Sequence, residues 1–420
     1  MRISKLFIDR QVVDHPLTQS IQARLDVPAI IVQSAQKVHE MVASAPDPIQ
    51  SGKEILYLSR NQCAFFKRCP GTRHYTCCDY RILHIGTFCY MDCAYCILQT
   101  YFHPPVLEYF VNHEDLIAEL DTVFSQKSIF RIGTGEFTDS LIWTLWTDVA
   151  KLLVDRFAAQ EHAVLELKTK TTAIEQLQNL NHNRKTITAW SLNTPKIIRT
   201  EERGTAGLSA RIDAAARCEK WGYPLAFHFD PLIIYDGCER AYIRVIETLF
   251  SRLSAENMVW ISLGTLRFPP PVKAVIQKRF PDSRIVYAEF IRGSDGKMRY
   301  FKPLRIDLYR KIIACIREHA PDVIVYLCME DDEVWQKTLG FTPADVGGLS
   351  HMLDMSAAKH CHLNLDAIPE SATTRTARGL DFTAKGGKIQ GHAGPRSLRV
   401  KPGAKHPVWN TQSKCPSAIR

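Results

Sequence analysis

Short apolar runs alternate with amphipathic stretches through the middle of this 420-residue chain. Runs of strand length occupy residues 81–88, 128–132, 164–169, 186–192, 225–229 and 259–264. Between them, apolar residues recur at helical spacing over residues 114–125, 141–157, 172–179, 208–221 and 239–253. About six repeats of strand and helix predict a parallel sheet with right-handed crossovers. The predicted fold is α/β, a partial (β/α)6 barrel with fewer units than the eight-fold TIM barrel.

The segments on either side of this repeat follow other patterns. Residues 1–80 contain a predicted helix at 34–43 among short apolar and polar stretches, and we interpret them as an N-terminal cap. Residues 81–265 form the predicted core barrel, and residues 266–368 form a predicted α+β extension with a hairpin, helices and a strand at 323–327. Residues 369–420 are rich in Gly, Ser, Thr and Lys without apolar periodicity, which predicts a disordered basic tail.

The net charge of the chain is concentrated in that tail. The formal charge is +9, from 53 Lys and Arg against 44 Asp and Glu. Residues 369–420 hold ten of the basic and two of the acidic residues, so the remainder carries 43 against 42 and is close to neutral. Charge is therefore weak support for nucleic-acid binding by the folded part. No apolar run approaches the ~18 residues of a membrane span and no signal-peptide core is present, so we expect a cytoplasmic protein that binds no membrane.

Three cysteines follow the first predicted strand with the spacing C-x3-C-x2-C. Cys89, Cys93 and Cys96 would lie at the carboxyl end of that strand, where barrel enzymes carry their active sites. Three thiolates leave one metal position without a protein ligand, whereas a closed zinc site has four ligands. The spacing therefore favours an iron–sulfur cluster that binds something else at its fourth iron. A structural zinc site or a chance group of cysteines is the alternative.

A second group of cysteines lies in the predicted cap. Cys63, Cys69, Cys77 and Cys78 fall within sixteen residues, among thirteen cysteines in the whole chain. In a cytoplasmic chain of this size such cysteines suggest metal ligation or buried free thiols. Two interpretations stay open: a second metal site, and reduced thiols packed over the core. Adjacent cysteines rarely both reach one ion, which favours the thiols.

The cysteine motif, with Tyr95 before its last cysteine, resembles that of the radical S-adenosylmethionine superfamily. The resemblance implies that Cys89, Cys93 and Cys96 hold a [4Fe–4S] cluster and that Tyr95 belongs to the cofactor-binding segment. It also implies that the cluster reduces S-adenosylmethionine to methionine and a 5′-deoxyadenosyl radical. A one-electron reductant of the flavodoxin or ferredoxin type would be a partner. The predicted barrel would be of the radical S-adenosylmethionine type.

Further segments resemble the spore photoproduct lyase group, which cleaves a thymine–thymine crosslink in DNA by radical chemistry. The resemblance runs from the cap to about residue 330. It implies that Lys170, Ser191 and Asn193 contact S-adenosylmethionine. It also implies that a hairpin carrying Arg299 and Tyr300 approaches DNA. The matching segments are Cys96–Thr100, Ser191–Asn193, Gly204–Thr205, Arg211–Ala215, Gly222–Leu225, Arg267–Phe268 and Arg299–Tyr300.

Two positions depart from the lyases. Glu136 stands where the lyases carry the cysteine that returns a hydrogen atom to the product radical, and Ile97 stands where they carry a tyrosine. A carboxylate has no weak bond to hydrogen and cannot replace a thiol in that role. Cys238, after the fifth predicted strand, is the thiol outside both clusters that could replace it.

The segment around Glu136 fits another need. Gly133, Gly135 and Glu136 resemble the Gly-Gly-Glu segment with which many radical enzymes accept the ammonium of S-adenosylmethionine. A carboxylate beside a cation is favourable, and bare glycines allow a ligand to approach the backbone. We therefore assign all three residues to cofactor binding.

His228 and Asp230 end the fifth predicted strand and point to the same side of it. In the barrel interior both could act as catalytic residues that orient substrate or move protons. Buried, mutually hydrogen-bonded structural residues are the alternative.

The sequence thus predicts a radical S-adenosylmethionine enzyme, lyase-like, acting on an unknown substrate. One alternative is a DNA-lesion repair lyase of the thymine photoproduct type with a different hydrogen donor. Another is a zinc-stabilised nucleic-acid-binding protein without catalysis.

Overall fold

The structure is a computed structural model that describes residues 3–71 and 74–364. The predicted tail at 369–420 lies outside the described residues. The strands are β1 (Lys5–Asp9), β2 (Ala29–Val32), β3 (Ile55–Ser59), β4 (Phe66–Arg68), β5 (Arg81–Leu83), β6 (Gly86–Thr87), β7 (Asp92–Cys93), β8 (Leu107–Phe110), β9 (Phe130–Gly133), β10 (Ala163–Thr169), β11 (Thr186–Ser191), β12 (Glu202–Arg203), β13 (Leu225–Leu232), β14 (Met258–Thr265), β15 (Arg267–Phe268), β16 (Phe290–Arg292), β17 (Met298–Tyr300) and β18 (Val325–Leu327).

Helices connect most of these strands. The α-helices are α1 (Pro16–Arg24), α2 (Ala35–Ala43), α3 (Pro48–Lys53), α4 (Leu98–Tyr101), α5 (His113–Phe124), α6 (Val149–Ala158), α7 (Pro195–Glu201), α8 (Leu208–Lys220), α9 (Cys238–Arg252), α10 (Pro270–Arg279), α11 (Lys302–His319), α12 (Asp332–Leu339) and α13 (Leu349–Cys361). Short 3-10 turns lie at Arg10–Val12, Ile142–Leu145, Glu175–Leu177, Ala255–Asn257 and Pro343–Val346.

The larger sheet has the strand order β4-β5-β9-β10-β11-β13-β14-β18. All neighbours from β5 to β18 pair in parallel, and β4 adds an antiparallel edge. Apolar residues fill these strands almost continuously, as expected for a parallel sheet covered on both faces. The predicted α/β fold with a partial parallel barrel is confirmed.

The structure corrects three details of the predicted elements. The run at 81–88 splits, because a tight turn joining Ile85 N–H to the Leu83 carbonyl sends β6 into another sheet. The strand predicted at 323–327 pairs with β14 and so continues the barrel sheet. The stretches predicted as helices at 141–157 and 172–179 are broken or short: the first is a 3-10 turn followed by α6, and the second is only a 3-10 turn.

The N-terminal segment, predicted as a cap, contributes β1, β2 and β3 to a second sheet that also contains β6 and β8, in the order β2-β1-β3-β8-β6. Strand β3 is buried along its whole length, which explains its unbroken apolar sequence. The predicted helix is present as α2, with Ser34 at its N-cap position. At β6, a Cβ on Gly86 would lie 2.6 Å from the Glu108 carbonyl oxygen and 2.9 Å from the Trp143 ring, so only glycine permits this close packing.

The third group of strands, β15-β17-β16, forms a small antiparallel sheet beyond the end of β14. Helix α10 packs beside it against the short helix α4, which follows the cysteine motif. Among the described residues, the helices are too short or too polar to cross a bilayer.

Candidate active site

The segment with Cys89, Cys93 and Cys96 follows β6 and is pinned by a buried lysine. Lys53 donates a 3.0 Å hydrogen bond to the Cys89 carbonyl and a second to the carbonyl of Met91. Lys53 belongs to α3, at the end of the N-terminal sheet unit, and is almost completely buried. Its ammonium is therefore committed to this loop.

Gln99 organises the other side of the loop. Its amide nitrogen lies 3.3, 3.0 and 3.2 Å from the carbonyl oxygens of Cys93, Ala94 and Cys96. Arg279 of α10 holds the Gln99 oxygen and, at 2.9 Å, the carboxylate of Asp92. Sequence reasoning assigned no role to Lys53 or Arg279, because their contacts join segments far apart in the chain.

The three thiols of the loop lie close to one another. Burial raises the pKa of Cys89 to about 12 and raises that of Cys93 well above its usual value. A neighbouring cysteine charge adds to each rise, so a cation must displace the protons from these thiols on binding. Within the described part of the chain, no group of three His, Cys, Asp or Glu side chains is gathered around one point for a single ion. In an iron–sulfur cluster each thiolate binds its own iron, so the three thiols do not have to meet at one point.

Tyr95 is anchored by a buried ion pair next to the loop. Its hydroxyl donates to Glu202, and Glu202 accepts a 2.6 Å bond from Arg211. Strands β7 and β12 pair here, with Cys93 opposite Glu202. The ammonium of Lys170 lies 6.0 Å from the centre of the Tyr95 ring. The structure thus brings the predicted residues Tyr95 and Lys170 together beside the cysteines.

The glycines of the Gly133–Glu136 segment leave space for protein side chains. A Cβ on Gly133 would lie 1.6 Å from the Tyr80 hydroxyl, and one on Gly135 would lie 3.0 Å from the Cβ of Lys168. Glu136 itself is 4.0 Å from the ammonium of Lys168. The segment follows β9, at the same end of the barrel as the cysteine loop, and its bare backbone is already covered in part by Tyr80 and Lys168.

Ser191 and Asn193 lie at the end of β11 and are bonded to other parts of the protein. The Ser191 carbonyl accepts a 2.8 Å bond from Arg211. The Asn193 amide donates to the Pro231 carbonyl at 2.9 Å and accepts from the Tyr242 hydroxyl at 2.8 Å. Both ends of the Asn193 side chain therefore have protein partners in this structure, and a ligand would have to exchange with them.

His228 is part of the barrel floor. Its two ring nitrogens lie 2.8 Å from Glu166 and 2.8 Å from Ser262, which are on β10 and β14. Trp260 also donates to Glu166 at 3.2 Å. Burial raises the pKa of Glu166, but the charge and hydrogen bond of His228 outweigh it and lower that pKa to about 2. His228 thus crosslinks three strands, and its partners are not those that the sequence suggested.

A charged group lies one layer above this floor. Asp230, two residues after His228, accepts bonds of 3.0 and 2.9 Å from Arg267. Arg267 also contacts the sulfur of Cys328 at 3.3 Å. Lys168, two residues after Glu166, faces the same interior. It fits there because Gly135 has no side chain that would contact it. Asp230 therefore belongs to an interior cluster that sequence reasoning resolved only in part.

Arg299 and Tyr300, predicted to approach DNA, are buried. The Arg299 guanidinium binds Asp295 and covers the Tyr75 ring, while the Tyr300 hydroxyl accepts from the Ile234 N–H at 3.2 Å. Their side chains are not at the surface, so these two residues do not themselves present a DNA-binding face, and the approach of the hairpin to DNA stays a prediction. The neighbouring residues Ile291 and Phe301 are the exposed large side chains of this hairpin.

The second cysteine group does not form a recognisable metal site in the described chain. Cys77 and Cys78 contact each other, and burial raises the pKa of Cys69 to about 11. Cys238 begins α9 and is buried, with its N–H bound to the Tyr235 carbonyl. Cys238 is thus packed in the interior, Cys69 and Cys78 are half-buried, and Cys77 is exposed.

Comparison with known proteins gives one consistent relationship. The family described as spore photoproduct lyase matches residues 4–314. The spore photoproduct lyase of Bacillus subtilis (strain 168) is 25% identical over 325 residues, which cover 75% of this chain and 91% of that protein. The enzyme of the same name from Geobacillus sp. (strain Y412MC61) is 23% identical over 290 residues, covering 67% and 83%.

Solved structures of spore photoproduct lyase share the fold. One variant, with bound AdoMet and dinucleoside spore photoproduct, superposes with a TM-score of 0.67 at 22% identity, covering 78% of this chain and 99% of that one. Another variant gives a TM-score of 0.69 over the same shares. The family match spans well over half of the chain, which decides the assignment. The chain belongs to the spore photoproduct lyase family of radical S-adenosylmethionine enzymes.

Proposed function

We propose that Cys89, Cys93 and Cys96 hold a [4Fe–4S] cluster and that the protein cleaves S-adenosylmethionine reductively beside it. The observation that carries the proposal is the loop itself, whose carbonyls are held by Lys53 and Gln99 while its three thiols form no disulfide. A loop whose backbone is fixed by buried donors can present thiolates in a constant arrangement. When bound, the two cofactors would supply a 5′-deoxyadenosyl radical.

The residues around the loop support binding of S-adenosylmethionine. Lys170 and Glu136 lie at the same end of the barrel and offer opposite charges to the carboxylate and ammonium of an amino acid. Ser191 and Asn193 lie at the carboxyl end of β11, where residues that line the active site of a barrel are expected. The half-barrel would keep water from a reactive intermediate.

The substrate would enter the barrel interior above His228. Asp230, Arg267 and Lys168 line that interior with two cations and a carboxylate. Such groups can orient a phosphodiester or the polar edge of a base. A thymine-derived lesion is the first substrate to test, because the relatives are named spore photoproduct lyases and one is described with the dinucleoside lesion bound. The protein would then be a DNA-lesion repair lyase with a hydrogen donor at another position, since Glu136 and Ile97 provide none.

Anaerobic reconstitution tests the cluster. We expect about four irons per chain with matching sulfide in the wild type, and reductive formation of 5′-deoxyadenosine from S-adenosylmethionine with a low-potential reductant. Cys93→Ala should lose the cluster and the 5′-deoxyadenosine together. Cys218→Ala, which removes a buried thiol on α8 far from the loop, is the matched control and should retain both.

Two outcomes would contradict the proposal. A colourless protein that retains zinc after anaerobic reconstitution would favour the non-catalytic nucleic-acid-binding alternative. Unchanged iron content in Cys93→Ala would remove the cysteine loop from the site. Incubation with the dinucleoside spore photoproduct then tests the substrate, and return of two thymidines would identify the lesion as one.

A further inference from the structure

We propose that Cys328 is the hydrogen-atom donor of this enzyme, giving a hydrogen atom to the carbon radical formed inside the barrel. This inference rests on the proposed function and deepens it. The donor thiol would then follow β18, the last strand of the sheet. In the lyases the donor follows the strand that corresponds to β9, where this chain has Glu136.

The strand register puts Cys328 on the inner side of the barrel. Glu166 and His228 bond to each other across the interior, so their side chains point inward. His228 pairs with Ser262, and Ser262 pairs with Tyr326, which places these residues at one level. Cys328 follows Tyr326 by two residues and points to the same side, one layer nearer the carboxyl end. Asp230 and Lys168 occupy that same layer.

The contacts of Cys328 are those of a cavity wall. Its sulfur lies 3.3 Å from Arg267, which is bound in turn to Asp230, and its N–H donates to the Leu263 carbonyl at 2.8 Å. Cys328 is nevertheless only half-buried, and Asp230 and Lys168 also keep accessible surface. These three side chains thus keep accessible surface at the carboxyl end of the sheet. A Cβ on Gly264 would lie 2.8 Å from both Asp230 and Arg267, so the bare strand makes room for this group.

Tyr80 adds a polar group to the floor below Cys328. Its hydroxyl is buried beside Glu166, and the residue, 9% exposed, lies close to Tyr326. Glu166 also binds His228, so the floor below the layer of Cys328 is polar.

The thiol is held in its protonated form. Burial raises the pKa of Cys328 to about 12, and the nearby carboxylate of Asp230 adds to this, although Arg267 opposes it. At neutral pH the S–H bond is therefore intact, as hydrogen-atom transfer requires. The cysteines of the cluster loop would be bound to iron, and Cys238 lies at the start of a helix, outside this layer.

The transfer balances in atoms and electrons. The S–H bond of Cys328 breaks homolytically, the hydrogen atom forms a C–H bond at the substrate carbon, and the unpaired electron passes to sulfur. The thiyl radical then takes one electron from a low-potential reductant of the flavodoxin or ferredoxin class and one proton from water. Arg267, at 3.3 Å, would stabilise the thiolate between these last two steps.

Isotope transfer tests the donor without knowledge of the substrate. The reconstituted protein is incubated in D2O with S-adenosylmethionine and titanium(III) citrate, a reductant without thiols. A thiol exchanges its hydrogen with solvent, so a radical quenched by Cys328 gives 5′-deoxyadenosine carrying one deuterium. We expect this deuterium to be lost in Cys328→Ala and Cys328→Ser, because a hydroxyl does not donate its hydrogen atom readily. Cys238→Ala, the matched control, should retain it.

The results separate the two proposals. Failure of the wild type to form 5′-deoxyadenosine would overturn the proposed function and this inference with it. Formation of 5′-deoxyadenosine without deuterium, or with deuterium that survives in Cys328→Ala, would overturn the inference alone.

Labelling of the protein without cofactors provides a readout independent of turnover. Burial raises the pKa of Cys328, Cys218 and Cys361 alike to about 12, so differences in their reaction with N-ethylmaleimide report access and not acidity. We expect Cys328 to be modified in the native protein well before the other two, which have no path to solvent. Labelling of Cys328 only on unfolding would contradict the open interior on which the proposal depends.

Discussion

Replacement of Arg211 by methionine is expected to destabilise the protein strongly through Glu202. The Arg211 guanidinium donates to Glu202 at 2.6 Å and to the carbonyls of Ser191 and Ala206 at 2.8 Å, and both members of the ion pair are almost completely buried. Methionine fills a similar volume but removes the charge. Glu202 would then remain buried with only the Tyr95 hydroxyl and the more distant charge of Lys170 to stabilise it.

The size of the effect follows from this burial. Removal of one partner from a buried ion pair costs about 3–5 kcal/mol, because the remaining charge stays desolvated without compensation. An exposed pair contributes about 0.2–1 kcal/mol. Arg252→Met, which breaks the exposed pair with Asp213 on neighbouring helices, is therefore the matched control. We expect several times more loss of unfolding free energy for Arg211→Met than for Arg252→Met.

The measurement is urea unfolding of the protein without cofactors, followed by circular dichroism at several pH values. Burial raises the pKa of Glu202, but the charges of Lys170 and Arg211 outweigh it and lower the pKa in the folded state. The stabilisation by Glu202 is thus complete above its unfolded pKa of about 4.3 and is lost as the pH falls through the folded value. The difference between wild type and Arg211→Met should accordingly be largest at neutral pH and shrink in acid.

Two results would refute this reasoning. A loss of less than about 1 kcal/mol in Arg211→Met would mean that Glu202 does not remain a buried, uncompensated charge. A loss that is independent of pH would assign the effect to packing. The double variant Arg211→Met with Glu202→Gln should recover part of the loss, since it removes both charges.

Two further predictions concern the cysteine loop and the barrel floor. Gln99→Leu removes the amide donor shared by the carbonyls of Cys93, Ala94 and Cys96. The reconstituted variant should therefore lose iron to a chelator faster than the wild type does. Equal rates of iron loss would contradict the proposal that Gln99 holds the loop in place. Glu166→Gln removes a carboxylate whose pKa is lowered to about 2 in the folded protein. The stability of the wild type, measured by thermal unfolding, should therefore fall as the pH drops from about 4.3 towards about 2, and that of the variant should change less. Parallel stability curves for the two proteins would refute this prediction.

The sequence predicted the barrel well because its signal is local. Six apolar runs of strand length separated by helical patterns are enough to define a parallel sheet, and all six are present. The seventh strand, β18, was predicted as a strand but not as a barrel member, because its partner β14 lies about sixty residues away and short apolar runs carry no record of pairing. The N-terminal sheet was not predicted, for the same reason.

The sequence predicted which residues belong to the candidate site better than it predicted their partners, for a physical reason. Residue type and spacing singled out the cysteines, and the two-residue period put His228 and Asp230 on one side of a strand. Neither signal gives the partners of a side chain, so the bonds from His228 to Glu166 and from Asp230 to Arg267 were not foreseen. Cys328 was not considered, because its importance depends on a strand register that joins residues separated by more than sixty positions.

The cysteine motif is local in sequence, but the arrangement that presents it is not. Lys53 reaches the loop from the N-terminal sheet, Glu202 pairs with Cys93 from the barrel, and Arg279 holds Gln99 from the helix beyond β15. Each of the three segments thus supplies a buried, charged group to one loop of eight residues. A buried charge is costly unless it is paired with good geometry, so these groups favour the one arrangement of the three segments in which all of them are paired. The position of the three cysteines is therefore fixed by contacts from the whole chain and not by their spacing in the sequence.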